Sequence, residues 1–489
     1  YGFYEAIDFT PSRLPRGKSE AITKSFMVHH QGMGLLALTY LLLDQPMQKR
    51  FEADPEFQTA LLLLQEQIPK TIGYYSGSSE MESTPLAMIS AEVNIFTTPH
   101  TDIPAVQLLS NGNYHAMVTN AGGGYNHWRD IAVTRWREDG TQDHWGSLCY
   151  LRNLDTGEFW SAAYQPTLKK PTTYTADFSQ GRVEFRRTDG NIETHTEVIV
   201  SPEDDIEIRR IHLNNSSRSA IKFDVTSYHE VVMAEAASDN AHPAFSNLFV
   251  QTELIAHQQA IISTRRPRSK DENPPWMFHL MKVSQAEVSE VSFETNRLNF
   301  IGRGNSLASP QAMQTSAPLS NTEGAVLDPI VSIQSRLVLE PNKTIIIDLI
   351  TGISESQIKS QHLIDKYQDR HMRDRAFELS WTHKQVVLRQ INAKIEDAEL
   401  YSRLASSVIF ANPALRAPQN LLIKNQRGQS ALWSYSISGD LPIILLRISD
   451  SSNITLVKQL IQAQAYWHLK GLMVDVVIMN EDPSAYRQA

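Results

Sequence analysis

The 489-residue chain sets 45 Lys and Arg against 54 Asp and Glu, a formal charge of −9, without a basic run that could follow a phosphate backbone, which excludes nucleic acid as a partner. At 41% hydrophobic and 20% charged it is globular, with core enough for roughly two to four domains. The single Cys149 excludes an internal disulfide framework and favours a reducing compartment, and the longest apolar run, Gly32 to Leu43, falls short of the roughly 20 residues that span a bilayer, so the segment reads as soluble.

In chain order, residues 1–70 read as helix: Met33, Leu36, Ala37, Tyr40 and Leu41 recur at spacings of three and four, and Ala60 to Gln67 continues in strong helix formers. The sequence opens at Tyr1 within a structured pattern and stops at Ala489 just after another, as a piece of a longer polypeptide would. In FMVHHQGMGLLAL, His29 and His30 project roughly 100° apart on a helix and cannot chelate one metal ion from a single face, so no metal is expected. Glu5 reads as a surface charge or a cavity carboxylate. Residues 71–104 have linker chemistry.

From 105 to 354 the pattern is strands. IEIRRIHL, IKFDVTSY, LFVQTELI, VSIQSRLVL and TIIIDLITGI are β-branched, partly alternating and separated by turn clusters, which predicts a large antiparallel sandwich. Within it, Gln107 to Pro166 crowds four tryptophans, four tyrosines and the triple glycine Gly122–Gly124 into sixty residues. Flat apolar faces beside bidentate hydrogen-bonding groups are what sugar binding requires. The glycines are expected to form a tight turn presenting Tyr125, Trp128, Arg129 and Asp130 to a cavity, the alternative being a core aromatic cluster.

Residues 355–393 lack Gly and Pro over most of their length and suit a helical linker across the sandwich; 394–489 read as a mostly helical domain. In LWSYSISGDLPIILLRI, Asp440 beside Trp433 and Tyr435 can contact sugar hydroxyls or cap an apolar helix starting at Leu441, and the two roles are compatible.

The block TNAGGGYNHWRDIAVTRWREDGTQDHWGSLCYLRN, the later TEGAVLDPI, LWSYSISGDLPIILLRI, and FMVHHQGMGLLAL with DQPMQKRFEADP upstream together resemble cyclic β-1,2-glucan synthases over almost the whole chain. The resemblance implies a multidomain α and β protein: C-terminal helices of one (α/α) barrel of glucoamylase-like type, a β-supersandwich, and the start of an (α/α)6 barrel of the glycoside hydrolase family 94 phosphorylase type. It also implies a larger membrane protein on the cytoplasmic side of the bacterial inner membrane, in which a transferase outside this segment uses UDP-glucose. The phosphorylase-like part would act on β-1,2-glucan with inorganic phosphate as co-substrate and no organic cofactor, as a homodimer, by an inverting reaction that needs one carboxylic acid. That acid would fall after Ala489, leaving Glu5 as a catalytic candidate of the glucoamylase-like part. Asp440 would contact sugar, and His29, His30 and Gln31 would stand at a cavity rim. The arginine that precedes the aspartate in many phosphorylases has no match, Tyr435 and Ser436 standing nearby instead. Rival readings are a soluble disaccharide or β-glucan phosphorylase and a non-catalytic carbohydrate-binding scaffold.

Overall fold

The computed structural model describes residues 4–9, 14, 18–53, 94–179, 181–267, 269 and 272–481, which fall into two compact units, Tyr1–Ala87 and Met88–Ala489. In the first, strands β1 (Ala6–Asp8) and β2 (Ala21–Thr23) form an antiparallel pair, followed by helices α1 (Val28–Leu42) and α2 (Pro46–Glu52). Pro46 opens α2, where its missing N–H costs nothing. The expected helix at 60–67 and the linker before residue 94 lie outside the described residues.

The second unit is built on strands β3 (Asn94–Phe96), β4 (Val106–Ser110), β5 (Tyr114–Thr119), β6 (Gly124–Trp128), β7 (Ile131–Thr134), β8 (Leu148–Asn153), β9 (Phe159–Ser161), β10 (Thr173–Ser179), β11 (Arg182–Asp189) and β12 (Ile192–Val200). They continue as β13 (Ile206–Asn215), β14 (Ile221–Ala234), β15 (Val250–Ile255), β16 (Ala260–Arg265), β17 (Trp276–Ser284), β18 (Val288–Asn296), β19 (Gly324–Ala325), β20 (Pro329–Leu339) and β21 (Thr344–Ser354). One sheet runs β19-β15-β16-β17-β21-β13-β12-β11-β10-β3; the other runs β18-β20-β14-β7-β6-β5-β4, with β8 attached to β14 and β9 to β8. Every pairing in these two sheets is antiparallel.

Alternation decides what each strand buries. Along β10 and β11 every second residue is inside, and Phe178, Val183, Phe185 and Ile211 meet Val118, Trp128, Phe223 and Val225 of the opposite sheet in one core. The expected sandwich is therefore present, and β3 extends it into the segment read as linker.

Helices cover the outer faces. The short helices α3 (Ala236–Ala241), α4 (Pro243–Asn247) and α5 (Arg297–Ile301) sit in sandwich connections. Helices α6 (Gln357–Gln368) and α7 (Arg370–Gln390) lay Leu363, Ile364, Tyr367 and Phe377 on Ile208, Ile262, Phe278 and Ile350. The two are separated at Asp369, whose carboxylate accepts from the His371 amide at 2.9 Å and caps α7. Beyond them, α8 (Ile395–Ile409), α9 (Gln419–Leu422) and α10 (Ile454–Leu469) accompany strands β22 (Ile443–Ile448) and β23 (Asp475–Asn480). Tyr401, Ala405, Tyr466 and Trp467 of α8 and α10 pack on Val106, Leu108 and Met117 of the second sheet.

The segment after Asp440 is a correction to the sequence reading. IILLRI is a strand, paired in parallel register with DVVIMN, Ile443 opposite Asp475. Asp440 thus caps no helix. A continuous apolar run suits a buried helix or a buried strand equally, and the partner that decides between them lies some thirty residues later.

Candidate functional site

The triple glycine is where the second sheet turns back on itself. A Cβ on Gly124, at φ +152°, would stand 1.8 Å from the Met117 carbonyl oxygen, and one on Gly123 would meet the Asp143 carboxylate at 2.4 Å. No larger residue fits between β5 and β6 at this point. The strand that follows alternates: Gly124, Asn126 and Trp128 face the sandwich core, while Tyr125 and His127 face outward.

On that outer face lies a cleft of about 650 Å³ between the second sheet and the C-terminal helical region. Its sandwich wall is aromatic. The Tyr125 ring is 4.7 Å from His127 and 5.5 Å edge-on from Trp136, which in turn is 6.0 Å from Phe410. Glu138, Asp239 and Asn240 supply polar groups, and Val408, Ile409, Pro442 and Leu472 close the far side. Burial raises the Tyr125 hydroxyl well above its usual range and lowers His127 to about 4, so both are neutral near pH 7.

The polar wall is fixed from behind. Arg135 grips Asp239 with two bonds of 3.0 Å, reaches Glu230 at 2.7 Å and donates to Asn247 at 2.6 Å. Burial acts to lower the guanidinium's pKa, but Asp239 and Glu230 outweigh it and hold Arg135 charged. The helical side is pinned by Ser110, whose hydroxyl donates to the Leu469 carbonyl at 3.0 Å and bonds His115 at 2.8 Å. Gly471, at φ +79°, ends α10 there because a Cβ would stand 2.4 Å from the His115 ring. Glu138 accepts from the Ala411 amide at 3.2 Å.

Of the four residues expected to line one cavity, only Tyr125 faces the cleft. Trp128 is 4% exposed in the sandwich core, with its indole N–H on Asp205 at 2.7 Å. Arg129, at φ +52°, lies over the Trp128 ring at 4.3 Å and pairs with Glu355 at 2.8 Å, and Asp130 is exposed beside it. Residues three apart on a strand lie on opposite faces, so Tyr125 and Trp128 could not share a wall.

Asp440 is exposed and accepts from the Gln429 side chain at 2.7 Å, and Trp433, also exposed, donates to the Ser438 carbonyl at 3.2 Å. Tyr435 is exposed on the same short 3₁₀ segment, and Pro442, two residues past Asp440, lines the cleft. In the first unit Glu5 forms an ion pair with His30, whose ring is 4.0 Å from His29; Gln31 follows at half-burial on α1.

Residues 90–370 match the family Glycosyl hydrolase 94, supersandwich domain. The chain belongs to that family. It is 32% identical over 491 residues to the cyclic beta-(1,2)-glucan synthase NdvB of Rhizobium meliloti (strain 1021), covering 100% of this chain and 17% of that protein. It is 23% identical over 292 residues to the N,N'-diacetylchitobiose phosphorylase of Vibrio furnissii, covering 58% of this chain and 35% of that one. Among solved structures, a bacterial glucoamylase complexed with acarbose aligns at a TM-score of 0.35 and 10% identity, covering 70% of this chain and 43% of the other. The chain thus spans well under half the length of the curated relatives it matches.

The family match places the chain among carbohydrate-active enzymes. Trp136 is one of the four tryptophans of the aromatic block, whereas His127 and Glu138 are not among the sequence candidates, although the alternation from Gly124 onward marks His127 as Tyr125's neighbour on that face. Among the described residues no helix is long and apolar enough to cross a membrane.

Proposed function

We propose that this chain is the glucan-holding, phosphorylase-like region of a cyclic β-1,2-glucan synthase, and that the cleft walled by Tyr125 and Trp136 receives the β-1,2-glucan chain. The observation that carries the reading is the pairing of an uncharged aromatic wall with fixed polar groups in one cleft: sugar rings stack on Tyr125 and Trp136 while Glu138 and Asn240 meet hydroxyls. Asp440, Trp433 and Tyr435 extend the polar and aromatic surface along the same glucan. Similarity along the whole chain to NdvB supports the synthase, and we assign the chain to the soluble part of a membrane protein whose transferase draws on UDP-glucose.

Inorganic phosphate is the co-substrate of this region in our reading, without an organic cofactor. The matched diacetylchitobiose phosphorylase favours phosphate as acceptor, and it also supports the second reading, a free phosphorylase acting on a β-linked disaccharide. Calorimetric titration of the chain with linear β-1,2-gluco-oligosaccharides, cellobiose and N,N'-diacetylchitobiose separates the readings. Preference for the β-1,2 series, weakened about two- to tenfold by Trp136→Ala, is expected from an aromatic contact worth about 0.5–1.5 kcal/mol. Binding confined to diacetylchitobiose, or binding indifferent to Trp136→Ala, overturns the assignment.

A further inference from the structure

The sandwich holds a second cavity, of about 760 Å³, within the range of about 300–1,000 Å³ typical of small-molecule sites. Three of its walls are loops around His100, Asp139–His144 and Tyr164–Leu168; the fourth is the end of α5 with Asn305 and Ser306. His100 meets the Tyr164 ring edge-on at 5.0 Å. The cleft described above shares none of these residues.

Its polar groups are under-used by the protein. Asp143 accepts from the Thr119 hydroxyl, but its other oxygen is buried without a partner, as are the His144 Nδ1 and the Gln165 side-chain Oε1. Three such orphans on two walls of one cavity are unusual in a folded interior, where buried polar groups are nearly always paired.

The charge pattern selects the ligand. The only Lys or Arg among the described lining residues is Arg297, and it is spent on Glu230 at 2.8 Å and Asp328 at 3.2 Å. Asp102 and Asp139 also line the cavity, so a phosphate or nucleotide would face uncompensated carboxylates. Burial also raises the Asp143 carboxyl to about 7 and lowers His144, so that near neutral pH about half of the Asp143 carboxyls carry a proton and His144 is mostly neutral.

We infer that this cavity is a second saccharide-binding site, in which a neutral oligosaccharide packs on His100 and Tyr164 and hydrogen-bonds the group around Asp143. That the sugar is β-1,2-glucan rests on the function proposed above; that it is a neutral saccharide does not. A glucan held at two places on one sandwich is kept beside the cleft between binding events, which raises its effective concentration there.

The test is titration of the full chain with β-1,2-gluco-oligosaccharides and, in parallel, with β-1,3- and β-1,4-gluco-oligosaccharides and inorganic phosphate. Ser306→Trp places a bulky side chain on the exposed rim and should abolish one class of sites while leaving the class sensitive to Trp136→Ala. Asp143→Asn, which can keep the Thr119 bond, should weaken that first class about tenfold with its melting profile retained. If only the β-1,3 or β-1,4 series binds and Ser306→Trp removes it, the cavity stands and the β-1,2 assignment fails. If Ser306→Trp leaves all saccharide binding intact, or if phosphate is the ligand it displaces, the inference is overturned.

Discussion

Arg135 and Glu230 are joined twice, the Arg135 amide donating to the Glu230 carbonyl at 3.3 Å and Nη1 to the Glu230 carboxylate at 2.7 Å. The other oxygen of the same carboxylate takes Arg297 at 2.8 Å. Arg135 lines the aromatic cleft and Arg297 the second cavity, so one buried glutamate connects the walls of both.

Neutralising that glutamate removes the carboxylate the two guanidiniums share, leaving Arg135 to Asp239 and Arg297 to Asp328, in a site where Arg135 and Glu230 are 6% and 5% exposed. Removing one partner of a buried pair costs on the order of 3–5 kcal/mol. Glu230→Gln should therefore lower urea-unfolding stability by about 3 kcal/mol. Saccharide titrations on the protein still folded should weaken in the cleft and the cavity together. A loss confined to one of them would show that Glu230 does not link the walls.

The triple glycine gives a sharper steric prediction. Gly124→Ala drives a Cβ to 1.8 Å from the Met117 oxygen, against backbone that cannot yield cheaply. A loss of about 4 kcal/mol or more is expected, since both the clash and the φ of +152° act against it. Gly140→Ala meets nothing within 4 Å and should stay within about 0.5 kcal/mol of the parent in the same denaturation series.

This site also shows how far the sequence could be read. The alternating strands of the sandwich and the helical stretch 355–393 were visible in periodicity and composition. What could not be read was which side of the sheet each aromatic takes, because one bend or bulge resets the alternation. Trp128 and Trp136 look alike in the sequence, yet one is core and the other cleft wall. The IILLRI strand was hidden for a related reason: its identity depends on pairing with Asp475–Asn480.

Acid should destabilise the protein in two successive windows. Burial lowers His115 and His127 to about 4 and His279 to about 3. The unfolded chain takes up those protons near pH 6.5, which the folded state refuses until about pH 4. The unfolded state therefore binds more protons in this interval, and stability falls as pH drops through it, by on the order of 3 kcal/mol for His115 alone. Glu184 acts lower down: its hydrogen bond from His195, outweighing burial, holds it at about 2 against 4.5. Its contribution is present above pH 4.5 and lost as pH falls toward 2. Urea midpoints measured from about pH 7.5 to 4 should slope downward below about 6.5, less steeply in His115→Gln. Equal slopes in the two proteins would show that His115 is not held neutral.

The two faces of β6 yield the most direct test of the binding assignment. Arg129 is exposed and polar, but it lies on Trp128 and Glu355, away from the cleft. Arg129→Ala should leave saccharide affinity within about twofold and remove only a surface ion pair and a cation–π contact, about 1 kcal/mol in all. Trp128→Ala should cost stability, about 3–5 kcal/mol for a large buried aromatic, and should lower affinity only through the fraction unfolded. Tyr125→Ala, three residues away, should do the reverse, weakening glucan binding about tenfold through loss of the ring that Trp136 packs against. Calorimetry and urea unfolding on the three variants resolve affinity from stability; a tenfold loss of affinity in Arg129→Ala with Tyr125→Ala unaffected would move the glucan from the cleft to the exposed surface around Arg129 and Glu355.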